Sequence, residues 1–214
     1  MKIKKLAIEN YKYFCSLEGS DYIASEFALE TILKLIKEFN LSDILEIGLG
    51  IGSVSDTILK FSKLNRLDIK YVGTESNEFC LKALPKNVQN YDEIQLFPEL
   101  NDVISKRFDL IIIDGLDLSL KQIEQYCAVN AILFIEGGRE DQTKSILSIF
   151  PKSLFVNVIT LKKNPPYAHE SRSVNSYIGG GQLIFINPTF KMKLFWARQK
   201  ALTFIKRKIR KNFK

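Results

Sequence analysis

Residues 45–54 read LEIGLGIGSV: a short apolar run carrying one acid, Glu46, followed by Gly48, Gly50 and Gly52 at alternate positions. Glycines at such a turn allow positive φ and let a ligand lie against the backbone, and a helix beginning there offers unpaired N–H groups to a carboxylate or phosphate. Glu75 stands 23 residues beyond Gly52, at the end of the next apolar run. A carboxylate at that distance can take both hydroxyls of a ribose. The dinucleotide pattern G-x-G-x-x-G requires glycine at position 53, where this chain has Ser53, so NAD fits poorly and a single nucleoside-like ligand fits better. Three further side chains could take a proton from a hydroxyl: Asp114, Glu136 and His169, the last being the only histidine. Histidine is the side chain that ordinarily titrates nearest neutrality.

The elements that would position these groups follow from periodicity. Ile23, Phe27, Ile32, Leu35, Ile36 and Phe39 recur at helical spacing, with Ser20 or Asp21 as an N-cap, which predicts a helix over about 21–39. Alternation then begins. Strands are expected at 43–48, 69–75, 93–97, 108–114 and 131–136, and helices at 53–65, 77–84, 118–129 and 140–150. Strands alternating with helices imply a parallel, doubly covered sheet. The last two strands, 153–162 and 182–187, are joined by a polar loop without a crossover helix and are therefore expected to be antiparallel.

A chain of 214 residues with 46% hydrophobic and 26% charged residues suits one α/β domain with a real core. The three cysteines are scattered, odd in number and lack metal-ligand spacing, which argues against a disulfide framework or zinc site and for a reducing cytoplasm. No apolar stretch has the length of a signal peptide or membrane span. The net charge of +7 is uneven: residues 191–214 hold ten Lys or Arg and no acid, leaving −3 on the first 190 residues. The body is expected over 1–190, followed by a basic amphipathic helix over Lys191–Lys214. At 100° per residue Leu194, Phe195, Ala201, Leu202, Ile205, Ile209 and Phe213 share one sector of that helix. Such a helix suits an anionic membrane surface at the inner face of the membrane, or docks on the sheet as a covering helix.

DILEIGLGIG, YVGTES, FDLIIIDG and AILFIEGG, spread over roughly 41–187, resemble the class I S-adenosylmethionine-dependent methyltransferases, and small-molecule or glycan O-methyltransferases among them. The resemblance implies a Rossmann-like sheet of seven strands with the last antiparallel, and S-adenosylmethionine as cofactor. By the same resemblance Glu46, Gly48, Gly50 and Gly52 line the methionine portion, Glu75 holds the ribose, and Asp114 sits where the methyl group is transferred. Phe97 would stack on the adenine and Glu99 would read it. One branch of these enzymes holds a metal, with an aspartate after the fourth strand and an Asp-Asn pair after the fifth. Glu136-Gly137 stands in place of that pair, although Asp114 and Asp117 are present, so no metal is expected.

Asn164–Tyr167 reads NPPY, the turn with which amino-methyltransferases hold an extruded adenine. In those enzymes it follows the fourth strand, a place already taken here by FDLIIIDG, so a stiff turn is the better reading. Its loop carries Tyr167, His169, Glu170, Arg172, Asn175 and Tyr177, a hydrogen-bonding set suited to a hydroxylated acceptor such as a sugar. The expectation is methyl transfer to oxygen of a small or glycan-like acceptor, with Asp114 and His169 as catalytic groups. The rivals are a nucleic-acid methyltransferase, opposed by the acidic body, and a nucleoside-binding module without turnover.

Overall fold

The computed structural model describes residues 2–104, 106–115, 118–169 and 173–212. Its sheet has seven strands: β1 (Asp43–Ile47), β2 (Lys70–Thr74), β3 (Ile94–Phe97), β4 (Phe108–Ile113), β5 (Cys127–Glu136), β6 (Leu154–Val158) and β7 (Gly181–Phe185). They lie in the order β3-β2-β1-β4-β5-β7-β6. β1 to β5 are parallel, and β7 runs antiparallel to both neighbours, as the missing crossover helix requires. Alternation along the strands supplies two cores. Ile44, Leu110, Ile112, Ile132 and Phe134 face one layer; Leu45, Ile111, Ile113, Leu133 and Ile135 face the other.

The first layer holds α1 (Ile3–Cys15), α2 (Glu26–Phe39) and α3 (Ser53–Asn65), with α4 (Glu78–Asn87) beside them; α5 (Glu140–Ile149) lies on the second. α1 is absent from the sequence reading, although Leu6, Ala7, Asn10, Tyr11 and Phe14 make a buried stripe at helical spacing. α2 starts at Glu26 rather than near Asp21, because the Ser25 side chain accepts the Ala28 N–H at 3.2 Å and caps it there. Residues 21–25 are thereby released to cross the sheet's carboxyl edge. The helix expected over 118–129 is instead a 3₁₀ stretch, Leu118–Tyr126, after which β5 begins at Cys127. Buried Leu120, Ile123 and Tyr126 recur every third residue, the repeat of a 3₁₀ turn and not of an α-helix.

α6 (Phe190–Asn212) packs along β6, an edge strand of the sheet. Its side chains donate to successive outward carbonyls: Trp196 Nε1 to Phe155 O at 2.8 Å, Thr203 Oγ1 to Asn157 O at 2.6 Å, Lys206 Nζ to Ile159 O at 2.8 Å and Arg210 Nε to Thr160 O at 2.9 Å. Unpaired edge groups are thus covered by a helix. The basic segment is part of the packed domain, and its docking face is not the expected stripe. Of that stripe only Phe195 stacks inside, against Phe39 and Phe185. Leu194, Ala201 and Ile205 are exposed, Leu202 and Ile209 are half-buried, and Phe213 lies outside the described residues. Among the described residues no helix is long and apolar enough to cross a membrane.

Candidate functional site

The strand order reverses at β1, and a pocket of about 550 Å³ opens there at the carboxyl edge. Open α/β sheets bind ligands at such a switch point. The turn after β1 forms its floor. A Cβ on Gly48 (φ +86°) would fall 2.6 Å from the Gly115 Cα, and one on Gly50 (φ +54°) would fall 2.3 Å from the Tyr22 carbonyl oxygen. These glycines are therefore demanded by the chain's own crossings as much as by a ligand. Gly50→Asp would disturb the fold before it tested any binding site. Gly48 and Gly50 line the pocket, whereas Gly52 serves as the N-cap residue of α3 and faces Val88.

Glu75 lies at the end of β2 in a fixed pose. One carboxylate oxygen accepts the Gly50 N–H at 2.8 Å; the other accepts those of Ser76 and Asn77 at 2.9 and 2.8 Å. The residue lines the pocket, and the oxygen that accepts from Gly50 keeps a lone-pair site for a hydroxyl donor. Glu136, at the end of β5, also lines it and accepts the Ser25 N–H at 3.2 Å, tying the 21–25 segment over the cavity.

Asp114 follows β4 and meets Arg139, whose guanidinium lies 3.2 Å from its Oδ1. Arg139 also donates to the Asp114 carbonyl and, at 2.7 Å, to the Gly115 carbonyl. Sequence reading passed over Arg139; its signal is a basic residue immediately after Gly137-Gly138, where the segment past β5 returns to the pocket. The described lining carries five carboxylates, Asp21, Glu75, Glu99, Asp114 and Glu136, against this one guanidinium. The field favours a cation and opposes a pyrophosphate.

Besides Gly52, three expected site residues lie elsewhere. Glu46 is fully buried beneath the pocket, where the Tyr71 hydroxyl donates to one of its oxygens and the other has no hydrogen-bond partner among the described residues. Burial pushes its carboxyl well above the usual range; the Tyr71 hydrogen bond opposes that shift, and the Asp114 and Glu75 carboxylates add to it. Phe97 is half-buried against the core of the second layer, leaving Pro98 and Glu99 at the pocket. His169 is half-buried in the loop between β6 and β7 and does not line the cavity.

That loop is held away from the pocket by its own contacts. The Asn164 amide donates to Ser173 O at 3.0 Å and Ser176 Oγ at 2.9 Å. Tyr167 packs against Tyr11, with rings 6.2 Å apart, and Lys162 reaches Glu26 on α2 at 2.8 Å. NPPY thus closes a loop, and none of its residues lines the pocket. Glu170 and Arg172 lie outside the described residues, as does Asp117. Among the described residues no cluster of three or more His, Cys, Asp or Glu could hold a metal ion.

Two substitutions separate these supporting roles from ligand binding. Asn164→Ala is expected to cost about 1–3 kcal/mol by breaking two hydrogen bonds at a buried amide, while ligand affinity at the pocket stays unchanged. Chemical denaturation paired with calorimetry checks it. Glu46→Gln keeps an acceptor for Tyr71 and removes a titration. Because folding raises this carboxyl's pKa, its contribution is fully present below the unfolded pKa and is lost as pH rises toward the folded one. The variant's melting temperature should therefore gain on the parent's as pH rises from 5 to 9. A constant difference across that range would refute the assignment.

The chain matches no family model and no curated protein. Solved structures match over 70–88% of its length. The O-methyltransferase from Bacillus cereus in complex with SAH is 11% identical, with a TM-score of 0.57 over 86% of this chain and 91% of that one. The precorrin-6y C5,15-methyltransferase from Geobacter metallireducens is 17% identical, with a TM-score of 0.51 over 74% and 88%. A candidate RNA methyltransferase from Pyrococcus horikoshii is 13% identical, with a TM-score of 0.54 over 88% and 100%. At these identities the likeness is one of fold: the chain has the Rossmann-like architecture of these methyltransferases, whose acceptors differ from one another.

Proposed function

We propose that the protein is an S-adenosylmethionine-dependent methyltransferase acting on an oxygen of a small, hydroxylated acceptor, glycans included. The observation that carries this reading is the Glu75 carboxylate, pinned by three backbone N–H groups at the end of β2 and facing a pocket beside the glycine turn. A nucleoside there offers its ribose hydroxyls to Glu75. The acid-rich lining suits a ligand carrying a sulfonium and an ammonium group.

The cofactor supplies an electrophilic methyl group and a positive charge that disappears during transfer. The protein aligns the acceptor and limits water. With the cofactor held by the glycine turn and Glu75, Asp114 would take the hydroxyl proton of the acceptor whose oxygen receives the methyl group. Arg139 fixes Asp114 in orientation through its carboxylate and carbonyl. The described residues of the polar loop do not line the pocket, so the preference for oxygen rests on Asp114 and Glu136 at its rim.

The test is calorimetry with S-adenosylmethionine, followed by detection of S-adenosylhomocysteine formed with panels of sugars, phenols and RNA. Saturable one-to-one binding and product formed with a hydroxylated small molecule are expected. No binding would refute the cofactor, product with RNA alone would reassign the acceptor, and binding without product across the panels would make the protein a nucleoside-binding module.

A further inference from the structure

α6 has a second face, turned away from the one that covers β6. Phe190, Leu194, Phe204 and Ile205 are 76, 57, 60 and 52% exposed. At 100° per residue they fall within a sector of about 100°, opposite Met192 and Thr203. Exposed apolar side chains scattered singly need no explanation, but four on one stripe of a helix do. The charge around them is one-sided: Lys193, Arg198, Lys200, Arg207 and Lys211 flank the stripe, Lys208 lies within its sector, and the helix contains no acid. Lys208 lies 4.6 Å over the Phe204 ring, its charge beside the apolar surface. Alongside runs a groove of about 580 Å³ between α2 and α6, in which Lys37, Arg198 and Lys34, the last paired with Glu30 at 2.6 Å, outnumber the acid Glu38 around an apolar floor that includes Phe27 and Leu202.

We propose that this face docks on an anionic phospholipid bilayer, the four apolar side chains entering the headgroup–acyl boundary while the flanking bases and the groove meet lipid phosphates. A basic amphipathic helix lies in a membrane interface in this way, and each base adds attraction to the anionic surface. A second copy of the chain fits less well, because a two-fold contact would set the same bases against each other. Nucleic acid would use the charges but leave the apolar stripe in water. The inference is independent of the pocket's chemistry.

The intact protein is mixed with sucrose-loaded vesicles of phosphatidylcholine alone, or of phosphatidylcholine and phosphatidylglycerol in equal parts, and sedimented. It should pellet with the anionic vesicles only, less so as salt rises. Phe190→Ser, Leu194→Ser, Phe204→Ser and Ile205→Ser combined should reduce partitioning by at least about tenfold, with circular dichroism and nucleoside affinity unchanged because all four are exposed. Lys200→Gln, Arg207→Gln and Lys211→Gln combined should weaken it to a similar degree. Pelleting with neutral vesicles as well, unaltered pelleting of the apolar variant, or a dimer in light scattering that the apolar variant abolishes would each overturn the proposal. So would RNA binding by the intact protein with no pelleting on anionic vesicles.

Discussion

Asp114→Asn is expected to lower turnover by about 10²- to 10⁴-fold, the range for removing a positioned general base. Asparagine keeps the size of the side chain and an oxygen to face Arg139, 3.2 Å away in the parent, but it cannot take the acceptor's proton. Cofactor affinity should change by no more than a few fold, since the loss belongs to the transition state and not to the bound cofactor. Steady-state formation of S-adenosylhomocysteine, read beside calorimetric binding, makes the distinction. Because a substrate hydroxyl needs a base and an activated acceptor does not, the variant's rate should recover with more acidic phenols. Unchanged turnover would assign the proton to Glu136, the other carboxylate at the rim, or show that no base is needed.

Glu75→Ala should weaken S-adenosylmethionine binding by about tenfold or more, the loss of one hydrogen bond to a charged group at about 1.5–3 kcal/mol. The same change removes the acceptor of three backbone N–H groups, so the turn after β1 loses its brace and the true effect exceeds the ribose contacts alone. Glu75→Gln separates the two contributions. It retains one carbonyl oxygen for the backbone and is expected to cost about tenfold in affinity. Glu99→Ala, at an exposed lining residue, is the control and should leave the ribose contacts intact. Equal affinities for the parent and Glu75→Ala, with both folded by circular dichroism, would remove Glu75 from the site and with it the main support for a nucleoside ligand.

The sequence alone determined the order of the seven strands, the helices that follow β1, β2 and β5, and the turn after β1, because those signals are local. A buried strand is a short apolar run, and a tight strand-to-helix turn requires glycine where φ is positive. It also placed Glu75 and Asp114 at strand ends, which in a parallel sheet share one edge. Tertiary structure decided where side chains point once an element has ended. Ser25, not Asp21, caps α2, because residues 21–25 are needed to cross Gly50 and reach Glu136. Asn164, Tyr167 and Lys162 fasten the polar loop to its own turns and to α1 and α2, which keeps His169 from the pocket. Arg139 gained its place only when the segment after β5 met the one after β4, 24 residues away along the chain. The docking face of α6 defied periodicity because a sheet edge asks for hydrogen-bond donors as well as apolar surface. Thr203, Lys206 and Arg210 answer the carbonyls of β6 and the loop beyond it, and Leu194, Ala201 and Ile205 of the apolar sector are left facing outward.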